Sequence, residues 1–335
     1  MKTPSDTSNA CEIADLTGKI LSDPPAGISE DQALQLAGAE GAAFMDLIWA
    51  ADRVRRHFKG KEIFTCAIIN AKSGKCSQDC AFCAQSGHHD TGVETYPLLS
   101  EKELITRALE MEDAQMTHFS MVTSGLFLSD QEIDTICRAA ETITSRTHLT
   151  LCGSLGMLTQ KQAQQLRQSG IRNYHHNLET ARSHFKQVCT THEYDADIES
   201  IRAAANAGLA VCAGGIMGLG ETRAQRIELA VTLREIGVEK IPLNFINPIA
   251  GTKMADQPLL SVAEALKTIA LFRLINPEKD ITICGGRHVT LGDFQSWIFA
   301  AGANGIMTGN YLTTTGRDIA QDVKMIHQWQ QMQGQ

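Results

Sequence analysis

Three cysteines in the first third of the chain have the spacing of a metal site. Cys76, Cys80 and Cys83 form the pattern C-x3-C-x2-C within the segment AKSGKCSQDCAFCAQSGHH. Soft thiolate ligands suit iron–sulfur clusters or zinc. A structural zinc site needs four protein ligands, and His88 or His89 is available as the fourth. The spacing predicts a metal site and leaves both chemistries open.

Three thiolates on a four-iron cluster leave one iron without a protein ligand. That iron can bind the amino and carboxylate groups of S-adenosylmethionine, and one electron from the cluster then releases a 5′-deoxyadenosyl radical. Phe82 lies directly before the third cysteine, so the loop reads C-x3-C-x-aromatic-C. In this form it resembles the radical S-adenosylmethionine superfamily. The resemblance implies a 4Fe-4S cluster on the three cysteines, with Phe82 beside S-adenosylmethionine.

Other versatile residues fall at the ends of segments that we predict as strands. Cys152, Cys212 and Cys284 lie in or directly after such segments. Cysteines that merely fill a core would be spread over both faces of the elements, so this distribution favours one lined cavity. We interpret Cys66 as packing within the first strand. The cysteines without a spacing signal are interpreted as structural, namely Cys11, Cys137 and Cys189.

Short β-rich segments alternate with amphipathic helical segments along the chain. Strands are predicted over residues 63–69, 118–122, 149–151, 173–175, 210–213, 240–247, 281–284 and 305–309. Helices are predicted between them over 101–114, 130–144, 159–169, 195–207, 223–236, 261–276 and 291–301. This alternation is typical of an α/β fold, here a (β/α)8 TIM-type barrel with an N-terminal helical extension. A doubly wound open sheet is the alternative on pattern alone.

Four regions are expected along the chain. Residues 1–20 are polar and predicted to be a disordered N-terminus, and 21–60 to form helices, with a helix start at Ser29. Residues 61–320 would form the barrel, and 321–335 a C-terminal helix or tail.

Charge and hydropathy exclude several classes of function. The formal net charge is −8 and basic residues do not cluster, so we expect no nucleic-acid partner. The N-terminus lacks the apolar core of a secretory signal, and the early apolar stretch over 42–51 is too short to span a bilayer. We therefore expect a cytoplasmic protein without a membrane partner.

The glycine-rich segment GGIMGLGE at 214–221 has two interpretations. It is not a dinucleotide-binding G-x-G-x-x-G motif, because Arg223 occupies the third glycine position. It is either a tight strand-to-helix turn or an adenine-contacting pattern. The second interpretation rests on resemblance to radical S-adenosylmethionine enzymes and uses Gly214, Ile216, Gly218 and Glu221.

The segment YHHNLET at 174–180 places polar groups at the end of the fourth predicted strand. His176 is interpreted as either a functional residue or a buried, hydrogen-bonded histidine. Asn177 and Glu179 are the stronger candidates, since an amide and a carboxylate suit ribose hydroxyls and other polar ligand groups.

Six segments in order resemble the biotin synthase family, from about residue 40 to 318. They are FTCAIINAKSGKCSQDCAFCAQS, TGVETYPLL, YHHNLET, VCAGGIMGLGET, LNFINPIAGT and AGANGIMTGNYLTTTG. The resemblance implies a homodimeric barrel that inserts sulfur into dethiobiotin, supplied with electrons by flavodoxin or ferredoxin. It further implies that Asn177 and Asn244 contact the substrate, that Asn177 also contacts S-adenosylmethionine, and that Glu179 contacts its ribose.

The chain departs from that family at the second, auxiliary cluster. The familiar site is a two-iron cluster held by three cysteines and an arginine, and Cys152, Cys212 and Arg287 match it. Ser120 stands where the remaining cysteine is expected, and Cys284 stands where serine is familiar. We expect Cys152, Cys212 and Cys284 to be the ligands, of either a 2Fe-2S cluster or a four-iron cluster with an extra sulfide. Arg287 either ligates iron or hydrogen-bonds a cluster sulfide or a cavity carboxylate, and we favour the second role.

A second departure concerns charge. The family resemblance implies an arginine near Asp197 that meets the carboxylate of S-adenosylmethionine, and this chain has none there; Arg202 lies one helical turn further on. Two other interpretations stay open: another radical S-adenosylmethionine barrel, such as a maturase or a methylornithine-type mutase, or an electron-transfer or zinc-stabilised binding protein.

Overall fold

The computed structural model describes residues 4–22 and 27–334 and contains one closed, all-parallel barrel. Its strands are β1 (Phe64–Lys72), β2 (His118–Thr123), β3 (Thr150–Ser154), β4 (Asn173–His175), β5 (Ala210–Cys212), β6 (Gly215–Met217), β7 (Lys240–Phe245), β8 (Asp280–Ile283) and β9 (Gly305–Met307). Both β5 and β6 pair with β7, so they are two halves of one barrel strand. β9 pairs with β1 and closes the ring of eight. The TIM-type barrel is confirmed, and the open sheet is excluded.

All eight predicted strands are present, and the structure adds a ninth segment that the sequence did not predict. Residues 215–217, which one interpretation assigned to a turn, form the short strand β6. Gly214 separates the two half-strands, and a Cβ atom there would lie 1.9 Å from the carbonyl oxygen of Pro242. Only glycine lets the backbone pass this close to β7, so the barrel strand is interrupted without losing its pairing.

Six helices cover the barrel close to their predicted positions. They are α4 (Glu101–Asp113), α5 (Asp130–Arg146), α6 (Gln160–Gln168), α8 (Tyr194–Asn206), α9 (Arg223–Glu235) and α10 (Val262–Ile275), and a short α7 (Phe185–Val188) lies before α8. Side-chain caps fix several of the starts, as at Ser100 and Ser129, where a capping box is complete.

The predicted helix over 291–301 is wrong. The structure has α11 (Arg287–Leu291), a 3-10 turn (Gly292–Phe294) and α12 (Trp297–Ala300) in that region. Gly292 has a φ of 49°, in the left-handed region, and this ends α11. The apolar periodicity of the segment reflects burial of two short pieces.

Helices also cover the N-terminal side of the barrel. The expected disordered stretch 1–20 lies largely within α1 (Pro4–Ser22), while residues 1–3 lie outside the described residues. Ile13 and Ile20 are buried, and α1 packs on α3 (Gly41–Lys59), which in turn packs on α10. This apolar stripe explains the helix. α2 (Glu30–Leu36) begins at Ser29 with a capping box, as predicted.

The chain ends in α13 (Ile319–Met332). Within the described ranges, none of the helices has the length and apolarity needed to cross a membrane.

Candidate active site

One cavity of about 420 Å³ lies at the C-terminal ends of the barrel strands. It brings together most of the predicted site residues: Cys76, Cys80, Phe82, Cys83, Ser120, Cys152, Asn177, Glu179, Cys212, Ile216, Asn244 and Cys284. Four predicted residues lie outside its lining, namely Gly214, Gly218, Glu221 and Arg287. Both sets of cysteines therefore face the same space.

Backbone hydrogen bonds within the cysteine loop fix its shape. The N–H of Cys76 donates to the carbonyl of Gln85 at 2.9 Å, and the N–H of Gly87 donates to the carbonyl of Cys76 at 2.7 Å. The N–H of Cys83 donates to the carbonyl of Cys80 at 3.0 Å. These bonds hold the three thiols facing the cavity without help from another ligand, so the loop is pre-organised for a cluster.

A second anchor ties the cysteine loop to the segment 188–192. The carboxylate of Asp79 accepts hydrogen bonds from the N–H and the hydroxyl of Thr190, at 2.8 and 2.6 Å. Burial would raise the pKa of Asp79, but the hydrogen bonds from Thr190 outweigh it and lower that pKa. The N–H of Ala81 also donates to the carbonyl of Val188 at 2.8 Å.

The two histidines that follow the loop are directed at backbone carbonyls. His88 Nε2 lies 3.1 Å from the oxygen of Ser77, and His89 Nδ1 lies 2.9 Å from the oxygen of Cys83. Across the part of the chain that the structure describes, no three His, Cys, Asp or Glu side chains converge on one possible ion position. Thiolates that bind separate irons of a cluster stand further apart than ligands sharing one ion. The loop itself supplies three soft thiol donors, a set that suits an iron–sulfur cluster.

Cys189, which has no spacing signal in the sequence, contacts the cysteine loop. The Cys189 sulfur lies beside Cys80, and His192 Nδ1 lies 3.3 Å from it. These contacts lower the pKa of Cys189 to about 4. Sequence analysis missed this contact because it joins two loops more than 100 residues apart.

His192 supplies a positive charge close to Asp197, where the sequence lacks the expected arginine. Its Nε2 lies 3.1 Å from an Asp197 carboxylate oxygen. Burial would lower the pKa of His192, but Asp197 and Cys189 outweigh it and raise that pKa to about 10. Arg202 is exposed on α8 and does not reach this position. His176 Nε2 contacts the other Asp197 oxygen at 2.8 Å, which supports its interpretation as a hydrogen-bonded histidine.

Asn177 and Glu179 stand together at the end of β4. The Asn177 amide donates to the Glu179 carboxylate at 3.3 Å and accepts from the N–H of Gly214 at 3.2 Å. Glu179 has a φ of 61°, unusual for a residue with a side chain. Burial, and then the negative charge of Asp197, raise the pKa of Glu179 to about 8. A carboxyl group that is neutral near pH 7 can both donate to and accept from a hydroxyl-bearing ligand.

The raised pKa of Glu179 predicts how stability depends on pH. The folded protein disfavours the ionised form of Glu179, so this group lowers the free energy of unfolding wherever the unfolded chain would ionise it. The loss is absent below the ordinary pKa near 4.5, grows as pH rises, and is complete above about 8. We expect Glu179→Gln, without cofactors, to gain roughly 2–4 kcal/mol over wild type between pH 5 and pH 8.5. Urea unfolding at both pH values measures this. Glu199→Gln, an exposed site on α8, is the control, and an equal effect of both substitutions would contradict the assignment.

The glycine-rich segment contributes one side chain to the cavity, that of Ile216. Glu221 is buried and accepts hydrogen bonds from the N–H of Gly218 at 2.8 Å and from Arg226 Nε at 2.7 Å. Its carboxylate therefore braces the turn after β6. Of the motif's residues, Ile216 lines the cavity, whereas Gly214, Gly218 and Glu221 lie outside its lining and support the backbone there.

The strand-end cysteines receive hydrogen bonds from neighbouring strands. Asn173 donates its amide to the Cys152 sulfur at 3.2 Å, and His175 Nδ1 lies 3.5 Å from the Cys212 sulfur. Burial raises the pKa of Cys212 and of Cys284, and neighbouring thiols add to it. Buried, clustered thiols are costly to ionise unless a metal takes the charge. The arrangement therefore fits soft thiolate ligands for iron.

Arg287 does not line the cavity. One terminal nitrogen lies 2.8 Å from Asp322 of α13, and neither side chain of this ion pair is exposed. The other terminal nitrogen donates to the side-chain oxygen of Gln295. The guanidinium therefore holds the C-terminal helix against the barrel.

Replacing Arg287 should cost stability and leave the iron content unchanged. Arg287→Met keeps most of the side-chain volume but removes the 2.8 Å partner of the buried Asp322 carboxylate and leaves it the longer contact with Arg317 at 3.6 Å, at a cost of roughly 3 kcal/mol. Denaturant unfolding measures the loss, and iron analysis of the anaerobically reconstituted protein provides the comparison. Loss of auxiliary iron with unchanged stability would instead make Arg287 a ligand.

Several lining residues were missed by sequence analysis. Lys240 and His118 contact each other at 2.9 Å on the cavity floor, and the Tyr311 hydroxyl donates to the carbonyl of Cys284 at 3.3 Å. Cys66, interpreted as packing within the first strand, also lines the cavity. Lys240 and His118 begin their strands, the end at which a barrel is not expected to hold its active site. The cavity extends far enough down to reach them.

A parallel barrel with a three-cysteine loop after its first strand defines the class of the protein: it is a radical S-adenosylmethionine enzyme. The Radical SAM superfamily profile matches residues 71–233, and the Biotin and Thiamin Synthesis associated domain matches 242–331. Among solved structures, methylornithine synthase has a TM-score of 0.80 at 19% identity, covering 93% of this chain and 95% of that one. The hydrogenase maturase HydG from Carboxydothermus hydrogenoformans has a TM-score of 0.77 at 16% identity, covering 98% and 84%. Both share the fold.

Closer relatives identify the family. The biotin synthase of Syntrophus aciditrophicus is 52% identical over 311 residues, covering 93% of this chain and 96% of the relative. That of Geobacter metallireducens is 50% identical over 312 residues, covering 93% and 94%. The chain belongs to the biotin synthase family.

Proposed function

We propose that the protein inserts sulfur into dethiobiotin to form biotin, taking the sulfur from an auxiliary iron–sulfur cluster. The observation that carries the proposal is the single cavity into which both sets of cysteines project. A protein that only cleaved S-adenosylmethionine, or only transferred electrons, would have no use for the second set.

Cys76, Cys80 and Cys83 are the ligands that would hold the 4Fe-4S cluster. The cluster and S-adenosylmethionine, when bound, supply a radical able to abstract hydrogen from an unactivated C–H bond. The protein positions this chemistry through the pre-organised loop and through Phe82 beside the third cysteine. Ile216, Asn177 and Glu179 line the neighbouring wall, where an apolar contact and two polar groups suit the adenine and ribose. Gly214, Gly218 and Glu221 support that wall from behind.

Amide groups suit the ureido ring of dethiobiotin, which both donates and accepts hydrogen bonds. Asn177 and Asn244 supply such groups at the ends of β4 and β7. Asn244 is fixed, because its oxygen accepts from the N–H of Gly285 at 2.9 Å and its nitrogen lies 3.4 Å from the carbonyl of Gly215. A rigid amide selects for ring orientation, and the barrel wall keeps water from the reacting carbon.

Cys152, Cys212 and Cys284 are the proposed ligands of the auxiliary cluster. Ser120 lines the cavity on β2, but a serine oxygen is a harder and less acidic ligand than a thiolate. Hydrogen bonds from Asn173 and His175 to two of the sulfurs would hold them in place and tune the cluster. The proposal allows a 2Fe-2S cluster or a four-iron cluster with an extra sulfide.

The test is an anaerobic incubation of the reconstituted, reduced protein with S-adenosylmethionine and dethiobiotin. Formation of both 5′-deoxyadenosine and biotin, followed by mass spectrometry, is the expected result. Deoxyadenosine without biotin would favour a mutase or maturase, and neither product would favour a binding protein. We include in the proposal a cytoplasmic homodimer reduced by flavodoxin or ferredoxin, which sedimentation and electron-donor assays test separately.

A further inference from the structure

The strand register of the barrel determines which interior side chains share a layer. In a barrel of this type, each layer of the interior contains four side chains, one from every second strand. Because the strands are tilted, the layer lies one residue further along each successive strand than the strand pairing indicates. The next member of a layer is therefore found two strands on, two residues beyond the paired residue. Cys66 of β1 pairs with His118 of β2, and His118 pairs with Thr150 of β3. Two residues beyond Thr150 is Cys152. Cys66 and Cys152 therefore lie in the same layer.

The same step continues around the barrel. Cys152 pairs with Asn173, and Asn173 pairs with Ala210. Two residues beyond Ala210 is Cys212, the third member of the layer. All three cysteines line the cavity.

The layer closes on itself through the remaining strands. Cys212 pairs with Lys240, and Lys240 pairs with Asp280, so the fourth member is Thr282, two residues further on. From Thr282 the register passes through Gly305 to Phe64, and two residues beyond Phe64 is Cys66 again. The circuit returns to its starting residue, which shows that the layer is assigned consistently.

Cys284 lies two residues beyond Thr282, directly after the end of β8 and above this layer. Its electrostatic neighbours include Cys66, and the neighbours of Cys66 include Cys152 and Cys212. Cys66 is thus within electrostatic range of all three proposed ligands and lines the same cavity. The Cys66 thiol makes one long hydrogen bond, of 3.9 Å, to the carbonyl of Ala67. Among the described residues, its sulfur therefore has no strong hydrogen-bond partner.

We infer that Cys66 is a fourth thiolate ligand of the auxiliary cluster, together with Cys152, Cys212 and Cys284. The inference rests on the proposed function, because it requires an auxiliary cluster in this cavity. On binding iron, the Cys66 thiol loses its proton to solvent, as the other thiols do, and no oxidant or reductant is needed. The ammonium of Lys240, one layer below, favours the additional negative charge on Cys66.

The experiment isolates the auxiliary cluster in the full-length chain. A parent variant carries Cys76→Ala, Cys80→Ala and Cys83→Ala, so that iron bound after reconstitution belongs to the second site. Into this parent we would introduce Cys66→Ala, and as a matched control Cys137→Ala on α5, outside the cavity. Iron and sulfide content after a chelator challenge and Mössbauer spectra are the readouts, and neither depends on turnover.

We expect the Cys66→Ala protein to retain at most half of the parent's iron, and its remaining iron to give a changed Mössbauer spectrum. The Cys137→Ala control should match the parent in both. Iron retention and spectra equal to the parent would overturn the inference while leaving the auxiliary cluster intact. A parent without iron would overturn the auxiliary cluster itself, and the inference with it. If circular dichroism shows that Cys66→Ala does not fold, Cys66→Ser gives the same comparison at nearly unchanged volume.

Discussion

Cys83→Ala is expected to abolish cleavage of S-adenosylmethionine, with 5′-deoxyadenosine formation falling at least roughly 1,000-fold, which corresponds to about 4 kcal/mol. His89 uses Nδ1 on the carbonyl of Cys83 itself, so it has only Nε2 to offer, a neutral imidazole donor in place of a thiolate. Loss of one of three thiolates should destabilise the cluster, and radical formation depends wholly on it. Anaerobic turnover with a chemical reductant, followed by mass spectrometry, measures the product.

The matched control for this prediction is Cys137→Ala, the same change on the surface helix α5. It should form deoxyadenosine within about twofold of the wild type, because its side chain lies outside the cavity. Low-temperature EPR of the reduced proteins shows whether the cluster itself is lost. If the Cys83→Ala protein cleaved S-adenosylmethionine at more than a tenth of the wild-type rate, the loop would not be the site of the cluster.

The barrel could be predicted because its cause is local. Each βα unit is recognisable in the sequence as a short β-rich segment followed by a helical segment with one apolar face. Few folds are compatible with eight such units in succession. The predictions of secondary structure failed where the backbone conformation at a single residue ends or interrupts an element. Gly292 ends a helix whose apolar pattern runs on, and Gly214 lies in the interruption of a barrel strand that ends at Cys212 and resumes at Gly215. Periodicity alone does not reveal either event.

The site residues also fall into those that the sequence could predict and those that it could not. Cys76, Cys80 and Cys83 were predictable because all three lie in one loop, where spacing along the chain reflects spacing in space. Cys66 and Lys240 were not, because a barrel strand is buried on both faces and its sequence does not mark the inner one. Their place depends on the register between strands far apart in the chain.

This register also places the two sets of cysteines at different levels of the barrel. The loop cysteines approach from above, after β1, whereas Cys152 and Cys212 rise from a layer within the barrel. Asn177 and Asn244 lie at the strand ends between these two levels. A substrate held by those amides would have one cluster on each side, as two successive hydrogen abstractions with sulfur insertion require.

Cys212→Ala should separate the two halves of the reaction. We expect this variant to form 5′-deoxyadenosine within about fivefold of the wild-type rate, because the cysteine loop and its contacts are untouched. Biotin should fall at least roughly 1,000-fold, since the auxiliary cluster loses a ligand that His175 helps to position. Both products can be quantified in the same anaerobic reaction with dethiobiotin, so that their ratio is independent of enzyme concentration.

The ratio of the two products carries the argument, because a general loss of folding or of reductant would lower both. Cys137→Ala again serves as the control and should keep the wild-type ratio. If Cys212→Ala made biotin in the wild-type proportion, the sulfur would have to come from a source other than a cluster on Cys212. If both products vanished while the fold was preserved, the layer of thiols would be needed for S-adenosylmethionine cleavage, and the two sites could not be treated as separate.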